Sequence, residues 1–343
     1  FIIPASLDMF PYLYLKNDKP AGWANTTKAF HRPGPAAEDF EAINCLTDFA
    51  RESRAYIAAR AKSDNPFFLY LPLTSPHTPI VPSKRWQGKS SLGKYGDFLM
   101  ETDWVVGQVL QALDRHRLAK DTIVIFATDN GCSPAAKIPA LVAKGHKPNA
   151  DWRGHKADIF EGGHRVPFLV RWPGKVAAGS TSGQTICTAD LFATVADVLG
   201  KSETIPANAA EDSFSFLPAL LGQAQAKRRP FTIHHSINGS FAIRRGKWKL
   251  ALCPGSGGWS APKPAAAKKN KSLPPLQLYD LDADPAEQNN LQAKRPKLVQ
   301  DLVATLAKAI KNGRTTPGPI QPNEGHPNTF SQKLLAAFPA LGQ

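Results

Sequence analysis

The chain has 343 residues, 42% of them hydrophobic and 20% charged, with a formal net charge of +14. A chain of this size and composition folds as a large globular domain, alone or with a small companion, and no apolar run approaches the length of a membrane span. The four cysteines, Cys45, Cys132, Cys187 and Cys253, form no C-x-x-C pair, which argues against a structural zinc site and leaves free thiols as the plain reading.

The chain begins at Phe1 with no signal-peptide pattern, as a mature product or a fragment would. Glu38 to Lys62 reads as an amphipathic helix, with Phe40, Ile43, Leu46, Phe49, Ala50 and Ile57 near helical spacing. Asp64-Asn65-Pro66 ends it, and FFLYLPL then reads as a buried strand running into the loop TSPHTP. A second helix is expected from about Tyr95 to His116, and a strand from Thr122 to Ala127. A long Pro-rich loop leads to the short strand RVPFLVRWPG and to the helix TADLFATVADVLG, closed by Gly200. Strands and helices alternate here, the pattern of an α/β layered sheet.

The pattern changes after Gly222. FTIHHSI, FAIRRG, KWKLAL and LQLYDL are short strand candidates in series, followed by the helix PKLVQDLVATLAKAIKNG. That order suggests a small antiparallel α+β domain. The expected domains are therefore 1–224 and 225–343, the second with a Lys/Pro-rich loop excursion near 259–275.

Much of the excess charge is local. Between Ser213 and Tyr279 there is no Asp or Glu, while Lys227, Arg228, Arg229, Arg244, Arg245, Lys247, Lys249, Lys263, Lys268, Lys269 and Lys271 all lie there. A field of one sign attracts polyanions, and a solvated basic face is the plainer alternative. His234 and His235, with some of Arg244, Arg245 and Lys249, are the expected contacts to an anionic chain.

Three loops carry candidate chemistry. In DTIVIFATDNGCSP an apolar run stops at Thr128-Asp129-Asn130-Gly131, and ligands gather at the carboxyl ends of strands in parallel sheets. An Asx turn that merely closes a strand explains the same residues. His77 lies in SPHTP, and Lys156 precedes Glu161-Gly162-Gly163 in the spacing Lys-x4-Glu-Gly-Gly. A lysine among glycines at a sheet edge can offer a point charge to an anion.

Taken together, PFFLYLPLTSPHTP, VIFATDNG, RGHKADIFEGGHRVPFLVRWPG, TADLFATVADVLG and LYDLDADPAEQNNL resemble the sulfatase family, in the family's order, across roughly Asn65 to Leu291. The resemblance implies an alkaline-phosphatase-like α/β fold with a small C-terminal antiparallel domain. It implies that Asp129 and Asn130 ligate a divalent cation, usually calcium, and hard oxygen ligands suit that ion. Lys156 matches the lysine that binds the sulfate, and His77 the histidine near the bridging oxygen. Ser6, in IPASLD, matches a serine near the substrate.

Sulfatases of this kind use a formylglycine made from Cys or Ser in Cys/Ser-x-Pro-x-Arg. The nearest approach, Cys132-Ser133-Pro134-Ala135-Ala136, lacks the Arg and follows the metal pair in the wrong order, so Cys132 is rejected as nucleophile. The expectation is a C-terminal portion of a sulfatase whose nucleophile and remaining metal aspartates lie upstream, inactive as it stands. The expected substrate is a sulfated small molecule or polysaccharide and the location periplasmic or secreted, with no nucleic acid and no membrane span. The rivals are a phosphoester hydrolase or phosphotransferase of the same superfold and a non-catalytic polyanion-binding homologue.

Overall fold

The computed structural model describes residues 1, 3, 6–223 and 229–322. The expected domain boundary at 224/225 lies outside the described residues, as do Lys227 and Arg228. The chain divides into two compact units, one of Phe1–Val124 with Ala135–His146 and the other of Ile125–Pro134 with Lys147–Gln343.

The first unit opens with two small antiparallel pairs, β1 (Leu15–Lys16) with β2 (Lys19–Pro20) and β3 (Thr26–Ala29) with β4 (Pro33–Ala36). Helix α1 (Cys45–Arg60) begins later than its periodicity suggests. The cause is local. Lys28 Nζ donates to the carbonyls of Glu38 and Phe40, and Phe40 turns into a core with Tyr12 and Leu7. Those residues are committed before the helix can start.

Helix α2 (Lys94–Arg115) packs on α1 through Leu46, Ala50, Phe98 and Val105. Its buried acids, Asp97 and Glu101, accept from the backbone N–H groups of Gly88, Ser90 and Ser83, so the helix holds the preceding loop. Helix α3 (Ile138–Ala143) completes the unit.

The segment FFLYLPL corrects the sequence reading. Among the described residues it joins no strand ladder, and it is covered on one side only. Phe67, Leu69, Leu71 and Leu73 pack against the α1 and α2 residues, while Phe68 is 80% and Tyr70 75% exposed. An extended segment points alternate side chains to opposite faces, and only one face has a partner here.

In the second unit, β5 (Val124–Ala127) pairs with β6 (Phe168–Arg171). A strand apolar at every position is usually buried on both faces, yet each residue of β5 is only partly buried, because among the described residues its sheet has two strands. Between them lies the short helix α4 (Glu161–His164), and after them come α5 (Asp190–Val198) and α6 (Leu217–Leu220). Gly200, at φ +64°, ends the α5 segment as its sequence suggests.

Strands β7 (Thr232–His235), β8 (Phe241–Arg245), β9 (Trp248–Ala251) and β10 (Gln277–Asp280) form one antiparallel sheet in the order β10-β9-β8-β7. The Lys/Pro-rich excursion includes a short helix, α7 (Pro264–Lys269). The long helix α8 (Pro296–Asn312) lays Val299, Leu302, Val303 and Leu306 on Ile243, Leu250 and Leu278. The opposite face, with Ala242, Ala251 and Tyr279, covers Ile159 and Phe160. Period-2 alternation sends neighbouring strand residues to these two cores.

Candidate active site

Within the first unit, the loop after FFLYLPL places His77 beside Asp8 and Ser6. Ser6 Oγ donates to Asp8 Oδ1 at 2.5 Å, and Asp8 Oδ1 lies 3.9 Å from His77 Nδ1. Burial disfavours the Asp8 carboxylate, but the Ser6 hydroxyl and His77 outweigh it and hold its pKa below the ordinary range. His77 Nδ1 is 2.8 Å from the Thr78 carbonyl. A carbonyl can only accept, so this nitrogen carries the hydrogen and Nε2 is left for other work. Asp8 escaped the sequence reading, although it stands two residues after Ser6.

Within the second unit, Asp129 and Asn130 sit on the turn that leaves β5. Asn130 Nδ2 donates to Asp129 Oδ1 at 3.1 Å and faces the Gly131 carbonyl at 3.3 Å. The turn is locked to the Lys156 loop. Gly131 N–H donates to the Gly163 carbonyl and Lys156 N–H to the Cys132 carbonyl, at 3.1 and 3.0 Å. Asn149 bridges them as well, accepting from Cys132 N–H and donating to the Gly154 carbonyl. The contact leaves no room for side chains, since a Cβ on Gly131 would lie 1.7 Å from the Gly162 oxygen.

The Lys156 loop is held from its other side too. Ala157 has φ +83°, rare for a residue with a side chain, and its carbonyl accepts from Ile237 N–H. The fully buried Asp158 accepts from the N–H groups of His155, Trp259 and Ser260. Among the described residues, no ion pair engages Lys156 Nζ. Its charge is thus available to an anion.

Asp129 and Asn130 are right in kind for calcium, being hard oxygen donors, but calcium takes six to eight oxygens. Among the described residues, no three His, Cys, Asp or Glu side chains converge as a metal-holding group. The pair fits as part of a calcium site, not the whole of one.

The basic segment is corrected by the fold. Lys249 is fully buried, 3.0 Å from Glu161 Oε1 and 2.9 Å from Glu287 Oε1. Arg244 binds Glu161 at 2.9 Å, Lys247 binds Asp280 at 2.7 Å, Arg245 pairs with Asp301 and Arg229 with the buried Asp190. His234 is partly buried, its ring tilted against His164 at 4.3 Å. The carboxylates absent from the local sequence arrive from distant segments. Of the expected polyanion contacts, His235 alone is exposed; Lys263, Lys268, Lys269 and Lys271 are exposed as well.

The sulfatase family profile matches residues 20–201. The chain is 35% identical over 254 residues to an N-acetylgalactosamine-6-O-sulfatase of Bacteroides thetaiotaomicron, covering 72% of this chain and 48% of that protein. It is 32% identical over 274 residues to the human steryl-sulfatase, covering 74% and 46%. A solved structure from glycosaminoglycan metabolism in Bacteroides thetaiotaomicron superposes with a TM-score of 0.76 at 27% identity, over 90% of this chain and 71% of that one. The chain spans about half the length of the curated relatives it matches. Its mixed α/β architecture is the alkaline-phosphatase-like fold of its structural neighbours. Family profile, relatives and fold agree, and the chain belongs to the sulfatase family.

Proposed function

We propose that the protein hydrolyses sulfate esters, on a sulfated glycan or a sulfated small molecule, outside the cytoplasm in the periplasm or after secretion. The observation that supports this is the coupling of the Lys156 loop to the Asp129–Asn130 turn through the Cys132 and Gly163 carbonyls, which joins by backbone hydrogen bonds the loop of a lysine with no ion pair among the described residues to a turn bearing hard oxygen donors. Lys156 binds the sulfate oxygens and steadies their charge in the transition state. His77, hydrogen-bonded through Nδ1, delivers a proton from Nε2 to the departing oxygen. Calcium, held in part by Asp129 and Asn130, would neutralise charge on the sulfuryl group. The motif from which this family makes its formylglycine nucleophile, Cys/Ser-x-Pro-x-Arg, does not occur among these 343 residues.

The polyanion-binder alternative loses support, because the buried and ion-paired bases of β8 and β9 are not free for a ligand. Lys156→Ala, in the form of the protein that carries the nucleophile, tests the proposal. We expect kcat/KM on a sulfate ester to fall by roughly 10²–10³-fold, as loss of a charge-stabilising donor does. Unchanged turnover would remove the lysine from the reaction and the proposal with it.

A further inference from the structure

The tail LYDLDADPAEQNNL, so far only a mark of resemblance, contains a residue that grips the Lys156 loop at both ends. Glu287 is fully buried, at φ +52°, a backbone region uncommon for a residue with a side chain and kept where the surroundings over-determine it. Its Oε2 accepts from Glu161 N–H at 2.6 Å, after Lys156 in the chain. Its main-chain carbonyl accepts from Arg153 Nη1 at 2.7 Å, before Lys156, and that guanidinium lies 3.9 Å over the Phe160 ring. Its Oε1 lies 2.9 Å from Lys249 Nζ, a contact whose angle is off that of an aligned hydrogen bond. Lys249 in turn holds Glu161 Oε1. The loop from 153 to 161 is thus pinned at its two ends by one residue and braced by the cation behind it.

We propose that Glu287 is a positioning residue, which fixes the 153–161 loop so that Lys156 meets the sulfate group in one geometry. This rests on the reading of Lys156 as the sulfate-binding lysine. Arg244 and Lys249 face each other directly across β8 and β9, a like-charged pairing that is unfavourable by itself. Glu161 and Glu287 supply the negative charge that makes it tenable, which ties the small sheet to the loop by charge as well as by packing.

Amide hydrogen exchange on Glu287→Ala and Glu287→Gln tests the proposal. In Glu287→Ala no acceptor remains for Glu161 N–H, and exchange at Glu161, Gly162 and Gly163 should accelerate roughly tenfold or more, with α8 unchanged. Glu287→Gln keeps an oxygen there, but a neutral one, and charge-assisted bonds are about twice as strong, so a smaller acceleration is expected. In the nucleophile-bearing protein, Glu287→Ala should lower kcat far more than it raises KM, by up to ~10²-fold, as a misplacement of about 1 Å does, with Glu287→Gln restoring part of it. Acceleration spread equally over α8 and β9, or none at Glu161, would overturn the positioning role. If Glu287→Ala does not fold, an unchanged Glu161 amide in Glu287→Gln overturns it alone. Separately, saturating inorganic sulfate should protect Lys156 of the unmutated chain from acetylation by acetic anhydride. Absence of that protection defeats the reading of Lys156 as the sulfate-binding lysine while leaving the exchange result to judge the clamp.

Discussion

The two faces of the β7–β10 sheet are covered in different ways. Toward α8, Ile243, Leu250 and Leu278 meet Leu302 and Leu306, and the charges at the rim, Arg245 and Lys247, pair with Asp301 and Asp280. Toward the Lys156 loop, Ala242, Ala251 and Tyr279 leave room beside them for Arg244 and Lys249, which lock onto Glu161 and Glu287. The apolar face is non-directional and tolerates small shifts. The ionic face demands fixed distances, since a buried charge must find its partner. A loop that presents a charged side chain to substrate is better held by the second kind of contact.

The largest effect should come from breaking the ionic face. Lys249→Ala leaves Glu161 and Glu287 buried with too little positive charge, and we expect a loss of roughly 3–5 kcal/mol in urea unfolding. A loss under about 1 kcal/mol would show that the cluster is wetter or looser than its burial implies. On the apolar face, Leu302→Ala opens a cavity at a fully buried position and should cost about 2–5 kcal/mol, nearer the lower end if α8 settles. Here the Glu161 to Gly163 amides should keep their protection. If they lose it as much as in Lys249→Ala, the two faces are one cooperative unit and the contrast fails.

Acid should also act on the loop side. Burial, with Lys249 nearby, lowers the pKa of His164 from 6.5 to about 4, and His234 is lowered well below 6.5 for the same reasons. Between pH 6.5 and about 4 the unfolded chain therefore binds protons that the folded chain refuses, so stability falls as pH falls through that window. His164 alone accounts for no more than about 3 kcal/mol. Glu287, its pKa raised by burial, takes up its proton earlier when folded and softens the loss. Glu161 is held low by Lys249 and Arg244 against its burial, and extends the loss to lower pH. His164→Gln should flatten the window in urea titrations, and an unchanged slope would exclude His164 as its source.

The smallest effect belongs to Arg245→Ala at the partly exposed rim of the sheet. Its pair with Asp301 lies in water, and about 0–1 kcal/mol is expected. A cost as large as that of Lys249→Ala would mean that burial is not what separates the two bases.

How much the sequence could say depended on the range of each interaction. Periodicity located α1, α2, α5, α8 and the four small strands, because which face of a helix or strand is buried is written in consecutive residues. The resemblance to the sulfatase family, carried by short local motifs, brought out Ser6, His77, Asp129, Asn130 and Lys156 as candidates. What tertiary structure alone decided was what stands opposite. FFLYLPL is apolar at nearly every position, yet Phe68 and Tyr70 face outward, since nothing in a strand's own residues says how many of its faces will be covered. The acid-free run from Ser213 to Tyr279 read as free positive charge, but Lys249 finds Glu161 at a separation of 88 residues and Arg244 finds it at 83. Charges pair across space, and in one strand two adjacent bases, Arg244 and Arg245, are sent by the pleat to a buried carboxylate on one face and an exposed one on the other.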